Sequence, residues 1–435
     1  MRVVERRLAW AGALFLCTAV SGIARSQVFG NGQGVKKIVV FDSKTDWSVR
    51  EMEVKQSGCN VRKRLEILEA LAVICPETQI EQAVTLLKRS KDVVRVDEDV
   101  KVFVIGELSM GDFVLPSISA FKQHLVPYTL PRMVPSRPNK LQEEGQGIRL
   151  ERQNPEPEGQ KIPWGIARLN APRAWEKSRG AKVRVGIIDT GVDPDHPDLK
   201  GNVAGGYNAI DPKQPWKDDH GHGTHVSGTV AALDNDIGVV GVAPKARIYS
   251  IKVLDSGGSG TWSDVADGIG WAIKNKMQVI SMSLGASSGN DSVKETVSKA
   301  YKAGITIVAA AGNDYGGPVG YPAAYEECIA VSAGNDKDQI ADFSSVGPEV
   351  DFIAPGENIR STTQGDYAEW SGTSMATPHV TGLVALKLAL KPSLKPSEVR
   401  QALKGAAFPI GTPSLPPEQQ GAGLVDAAKL VGVSH

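Results

Sequence analysis

A serine, a histidine, an aspartate and an asparagine, each set among small residues, are the side chains of this sequence best suited to nucleophilic chemistry. Ser374 lies in Ser371-Gly372-Thr373-Ser374-Met375-Ala376, where Gly372 permits a tight turn and the apolar run at 383–390 predicts a mostly buried helix. The hydroxyl then falls at a helix start, among free backbone N–H groups and the positive end of the helix dipole. Such a serine can be an ordinary N-cap. It can also be a nucleophile whose attack creates an oxyanion beside those same N–H groups.

The choice turns on a base and a carboxylate elsewhere. His222 stands in Asp219-His220-Gly221-His222-Gly223-Thr224-His225, where glycines let the chain pack closely at another helix start. His222 and His225 at i,i+3 could instead hold a metal, but no matching glutamate motif or cysteine set lies nearby. Asp189 ends an apolar strand, a place where turn or capping aspartates are common. Asn313 ends Ala309-Ala310-Ala311-Gly312 and offers an amide donor at a strand tip. Together, in the order Asp, His, Ser, these residues form the set an acyl-transfer triad requires.

The elements around them alternate. Apolar strands are predicted at 183–188, 247–254, 279–284, 305–310 and 328–331, with helices at 223–233, 262–274 and 293–303. This implies an α/β fold with a mostly parallel twisted sheet and helices on both faces, whose sites form at the carboxyl ends of strands. Upstream, 35–106 predicts a small α+β unit with a strand at 37–41, an amphipathic helix at 80–88 and a closing strand over 93–104. Between the two, 107–159 carries Pro116, Pro127, Pro131, Pro135, Pro138, Pro155 and Pro157 without sustained periodicity, and is expected to be a linker.

Composition narrows the partners. The chain has 435 residues, enough for one large domain and smaller pieces, and its 41% hydrophobic and 23% charged content is ordinary for a globular protein. Acids and bases balance at 49 each, so nothing points to nucleic acid or a membrane surface. Four cysteines, Cys17, Cys59, Cys75 and Cys328, are too few for a disulfide-stapled scaffold. Arg2, Arg6 and Arg7 precede an apolar run at 8–20, and Ala24-Arg25-Ser26 offers small residues for a signal peptidase. Residues 1–26 are expected to be a secretory signal peptide, the run being shorter than the ~20 residues a span needs. No membrane association is expected once it is removed.

Taken together, Ile188-Asp189-Thr190-Gly191 with His196-Pro197-Asp198-Leu199, His222-Gly223-Thr224-His225, Ala311-Gly312-Asn313 and Gly372-Thr373-Ser374-Met375-Ala376 closely resemble the motifs of the subtilisin-like serine proteases, the subtilases. The resemblance runs over 160–432. It implies a secreted endopeptidase with Ser374 as nucleophile, His222 as general base, Asp189 as its orienting carboxylate, and Asn313 with the Ser374 N–H as oxyanion donors. His220, His225 and His379 are expected to be structural. A binding protein that keeps the scaffold but has lost the chemistry is the alternative, and the intact set argues against it.

By the same resemblance, peptide substrates lie as an added strand between Gly258-Ser259-Gly260 and Ser283-Leu284-Gly285. Ala310, Ala311, Gly312 and Gly320 would wall a roomy pocket for the residue before the cut, favouring apolar and aromatic side chains. Asp314 could add a basic preference, and Trp262 would lid a second apolar pocket. A structural Ca²⁺ is implied at Gln160, Asp198, Leu233, Asn235, Ile237 and Val239, which supply the hard oxygens calcium prefers. Residues 35–106 resemble a subtilisin propeptide, an intramolecular chaperone and inhibitor, with the maturation site in 107–159 and the catalytic domain at 160–435. Cys59 and Cys75 would leave with it, and the mature enzyme is expected to be a monomer without disulfides.

Overall fold

The computed structural model describes residues 34–105 and 159–433. The expected signal peptide and most of the expected linker lie outside the described residues.

The larger body is built on a seven-stranded sheet. From one edge to the other its strands are Val350–Pro355, Cys328–Gly334, Thr306–Ala310, Val279–Met282, Arg184–Asp189, Arg247–Lys252 and Val203–Asn208. Every neighbouring pair is parallel. Parallel strands bury both faces, which is why these segments read as apolar runs rather than alternating ones. Helices His222–Ala231 and Thr373–Leu390 cover one face, and Trp262–Lys274 and Asp291–Lys302 the other. Strand order reverses between Arg184–Asp189 and Val279–Met282. Their carboxyl ends, Asp189 and the Ser283 that follows, therefore border a crevice of the kind where such sheets place their sites.

The smaller body is a four-stranded antiparallel sheet in the order Asn60–Leu65, Ala70–Cys75, Val35–Phe41, Val93–Glu98. Period-two alternation gives it two buried faces. Val39, Phe41, Leu71 and Val73 pack with Val54, Ala83 and Leu87 of the helices Trp47–Gln56 and Ile80–Arg89. Ile38, Val40, Leu65, Ala70 and Ala72 face the other way and join the core of the larger body, beside Val265, Ile269, Val293 and Val297.

The sequence reading of this body was incomplete. It missed the first helix and the two strands at 60–65 and 70–75: Arg62, Lys63 and Arg64 break the alternation of the first, and the second is a short continuous apolar run that periodicity does not distinguish from a helix. The single strand expected over 93–104 is two: Val93–Glu98 stays in the small sheet, and Lys101–Val104 leaves it for the larger body. The break has a cause. Asp99 is buried at the start of the Trp262–Lys274 helix, accepting from the Ser263 amide at 2.9 Å and its hydroxyl at 2.8 Å. Two residues earlier, Asp97 accepts from the Ser292 hydroxyl at 2.6 Å at the start of Asp291–Lys302. Carboxylates two residues apart, one near the end of the strand and one just past it, thus meet the positive ends of two helices.

A disulfide joins Cys59 to Cys75 within the small sheet, while Cys328 is a buried free thiol in the larger body.

Candidate active site

Asp189 is wholly buried at the end of its strand, and its Oδ1 accepts from His222 Nδ1 at 2.8 Å and from the Thr190 amide at 2.7 Å. A carboxylate can only accept, so His222 carries its proton on Nδ1 and leaves Nε2 as the basic atom. The helix beginning at His222 comes this close because of Gly223: a Cβ there would sit 2.0 Å from the Gly191 carbonyl and 3.1 Å from Asp189 Cβ. Asp218 fastens the same helix end. Its carboxylate accepts from the amides of His220, Gly221 and Thr224 and from the hydroxyls of Thr190 and Thr224. Burial alone would raise its pKa, but those donors outweigh it and hold the group below the usual carboxylate range. Sequence reading passed over Asp218, and the Asp218-Asp219 pair before a helix start was its only signal.

Ser374 is the second residue of Thr373–Leu390, as expected, and is fully buried. Its hydroxyl donates to the Ser283 carbonyl at 2.9 Å. His222 Nε2 is buried without a hydrogen-bond partner. The Ser374 hydroxyl and His222 Nε2 are therefore not hydrogen-bonded to each other in this conformation. The indole of Trp370, on the strand leading into Ser374, lies parallel to the His225 ring at 4.7 Å and to the His222 ring at 6.3 Å. His225 and His379 are wholly buried, and burial pushes their pKa values down to about 3 and about 4, so both rings stay neutral. Each lies apart from the Asp189–His222 hydrogen bond: His225 Nε2 meets the carbonyls of Ile359 and Ala368, and His379 Nδ1 donates to Met375 O. His220 is exposed at the rim.

Asn313 Oδ1 accepts from the Thr373 amide at 3.0 Å and its hydroxyl at 2.9 Å. That fixes the orientation of the carboxamide and turns Nδ2 toward the cleft. There it meets the carbonyl oxygen of Ile105 at 3.5 Å.

Ile105 is in the cleft because the strand before it fills the groove. Lys101–Val104 pairs antiparallel with Ser259–Thr261 on one side and Leu284–Gly285 on the other. The Val104 amide donates to Gly258 O at 2.9 Å and the Ile105 amide to Ser283 O at 3.2 Å. Val102 is fully buried and Phe103 is half-exposed, as alternation along a strand requires. Trp262 shares an apolar cluster with Val102, is wholly buried and donates from Nε1 to Ser288 O, so with the strand in place it is a wall and not an open lid. Ile105 Cδ1 would lie 3.0 Å from a Cβ on Gly285, while Gly320 backs onto the carbonyls of Ala286 and Ala311. Ala310 and Ala311 are buried behind them, and Asp314 is exposed. Sequence reading missed that 101–105 itself fills the groove. The apolar run Val102-Phe103-Val104-Ile105, ending at Gly106, was the signal.

A second cluster of oxygens lies across the molecule. Gln160 Nε2 sits 2.7 Å from Leu233 O, 3.4 Å from Asn235 Oδ1 and 3.5 Å from Val239 O. Asp198 Oδ2 accepts from the Val239 amide at 2.9 Å, but Oδ1 is buried with no partner. Ile237 closes the same loop by pairing with Gly159. Turning the Gln160 carboxamide over would place an oxygen among these acceptors, a set of the kind a hard cation takes. Among the described residues no group of three or more His, Cys, Asp or Glu could hold a metal. The donor set here has one carboxylate, with amide and carbonyl oxygens making up the rest, which suits a hard cation alone.

Comparison with known proteins matches the model of the subtilase family to residues 180–425, more than half of the chain. The thermostable alkaline protease of Halalkalibacterium halodurans is 46% identical over 272 residues, covering 62% of this chain and 73% of that protein. Subtilisin E of Bacillus subtilis is 48% identical over 259 residues, covering 58% and 68%. Subtilisin Savinase of Lederbergia lenta is 43% identical over 270 residues, covering 62% and 98%.

Proposed function

Since the chain belongs to the subtilase family of serine peptidases, we propose that it is a secreted endopeptidase made as a precursor that cuts itself first at Ile105–Gly106. The single observation behind this reading is the placement of Ile105, whose carbonyl faces the Asn313 amide at the end of a strand paired on both sides. The bond lies just ahead of the stretch 107–159 in which the sequence suggested maturation. Residues 34–105 then serve as chaperone and inhibitor, and whatever follows Gly106 stays with the enzyme until trimmed.

In this reading Ser374 Oγ leaves the Ser283 carbonyl by rotating about its Cα–Cβ bond and gives its proton to His222 Nε2 as it attacks the Ile105 carbonyl carbon. Asp189 holds the ring and stabilises the imidazolium. Negative charge gathers on the carbonyl oxygen between Asn313 Nδ2 and the Ser374 N–H, which lies in the first turn of a helix and has no intrahelical acceptor. The imidazolium next protonates the departing Gly106 nitrogen. Water, deprotonated by His222, then hydrolyses the acyl-enzyme. Substrates in trans take the same groove, held mainly by backbone pairing. Gly285, Gly312, Gly320, Ala310 and Ala311 leave room for an apolar residue before the cut.

Gln160, Asp198, Leu233, Asn235, Ile237 and Val239 would hold a structural Ca²⁺, which ties the chain near residue 160 to the 233–239 loop. Secretion is supported by the pattern of residues 1–26 and by the Cys59–Cys75 bridge, which suits an oxidising compartment. Among the described residues no helix is long and apolar enough to cross a membrane.

The test is mass analysis of the secreted products. A fragment ending at Ile105 supports the reading, and a first cut elsewhere overturns it.

A further inference from the structure

We propose that the Cys59–Cys75 bridge is a redox-controlled modification site that sets how long the 34–105 domain, once cut free, goes on blocking the cleft. The inference rests on the processing reading above and adds to it a control on release.

The bridge sits where the domain's hold is least secure. Cys59 immediately precedes the strand Asn60–Leu65, and Cys75 ends Ala70–Cys75, so the bond closes the open end of that hairpin beside the Asn60–Ile74 pair. Asn60–Leu65 is the edge of the sheet, and its register with its one neighbour breaks between Val61 and Lys63. An edge strand with a bulge has the fewest ladder hydrogen bonds to lose. Yet this strand carries two of the cations that hold the domain to the larger body, the third being Arg95 on Val93–Glu98, which pairs with Glu295 at 2.7 Å. Arg62 pairs with Asp264 and donates to Thr261 Oγ1 at 3.2 Å. Lys63 reaches Asp264 at 2.6 Å and Asp267 at 3.7 Å, and donates to the Ala209 carbonyl.

The domain's own core gives little support once it is free. Its outer face buries a small cluster that includes both bridged cysteines. The inner face, with Ile38, Val40, Leu65 and Leu68, is buried only against the enzyme. A piece of roughly seventy residues with its inner apolar face newly wet is marginally stable, and a cross-link that restricts its unfolded chain then counts for a large share of that stability.

Reduction balances with a dithiol as reductant. One reductant thiolate attacks a bridge sulfur and expels the other cysteine as thiolate, and the second reductant thiol then resolves the mixed disulfide. Cys59 and Cys75 end as thiols and the reductant as a disulfide, with two electrons and two protons transferred. Cys59 is 2% exposed and Cys75 fully buried, so attack waits until the domain has dissociated and its edge has frayed. The reduced domain unfolds and becomes substrate instead of inhibitor. Cys328, the remaining described cysteine, is buried and unbridged, so a reductant has no bond to break there.

The experiment uses the full chain, wild type and Cys59→Ser/Cys75→Ser, each allowed to process and then assayed on a chromogenic peptide with and without dithiothreitol. In wild type the cut after Ile105 is followed by a lag while the oxidised fragment persists, and dithiothreitol shortens that lag by about tenfold or more. In the double variant the lag is short and dithiothreitol leaves it unchanged. If the variant does not fold, the wild-type arm decides alone: a lag indifferent to dithiothreitol overturns the proposal. Equal lags in both chains, or equal shortening by dithiothreitol in both, overturn it too. Absence of the cut in wild type overturns the processing reading and this inference together, whereas a cut with no redox effect overturns this inference alone.

Discussion

Ser374 and Ile105 share one acceptor: the carbonyl of Ser283 receives the Ser374 hydroxyl at 2.9 Å and the Ile105 amide at 3.2 Å. Ser283 Oγ in turn donates to Ser374 O at 2.9 Å. One residue at the switch point of the sheet thus sets the serine beside the residue whose carbonyl it is proposed to attack.

Ser374→Ala should therefore leave the precursor whole, with 34–105 still docked, and abolish peptide hydrolysis. Gel analysis of the secreted chain checks this, and normal processing in the variant would remove Ser374 from the role of nucleophile.

Asn313→Ala removes the amide that faces the Ile105 carbonyl, in the proposed reading a donor to the developing charge, but leaves the strand pairing intact. Turnover should fall by about a hundredfold or more with KM little changed. Steady-state kinetics on a short peptide separates the two. A rise in KM at constant kcat would show that Asn313 only binds.

Calcium removal should act on lifetime, not on the chemical step. With chelator, heat inactivation should quicken several-fold, because the proposed cation would close a loop around an otherwise unpartnered Asp198 oxygen. Asp198→Ala should inactivate quickly whether or not chelator is added. Equal half-lives of wild type with and without chelator would count against the site.

His225 and His379 give stability a pH dependence whose sign is fixed. Each ring's pKa is lowered by burial, to about 3 and about 4 in the folded chain, against an ordinary value near 6.5. Below about 6.5 the unfolded chain binds protons that the folded one does not. Their contribution is complete above that pH and declines on the order of 1 kcal/mol per pH unit for each ring as pH falls toward 4. Thermal unfolding of Ser374→Ala, which avoids self-digestion, should show a falling Tm between pH 6.5 and 4. A flat Tm over that range would mean the rings are hydrated and not sealed.

Much of the larger body was legible in the sequence because its information is local. Buried parallel strands are apolar runs, and helix starts announce themselves by glycine and small residues, so the elements bearing Asp189, His222, Asn313 and Ser374 could be placed from residue order. The Asp189–His222 contact follows from a glycine at 223 that nothing larger could replace. What the chain order could not say is where residues far apart meet. The 93–104 run reads as one strand, and only the burial of Asp99 against a helix start 164 residues away breaks it in two. Likewise the occupant of the groove, the rotamer that sends the Ser374 hydroxyl to Ser283, and the bridge between Cys59 and Cys75 depend on which surfaces are pressed together. Periodicity encodes which face of an element is buried, whereas its partner is decided by packing over the whole fold.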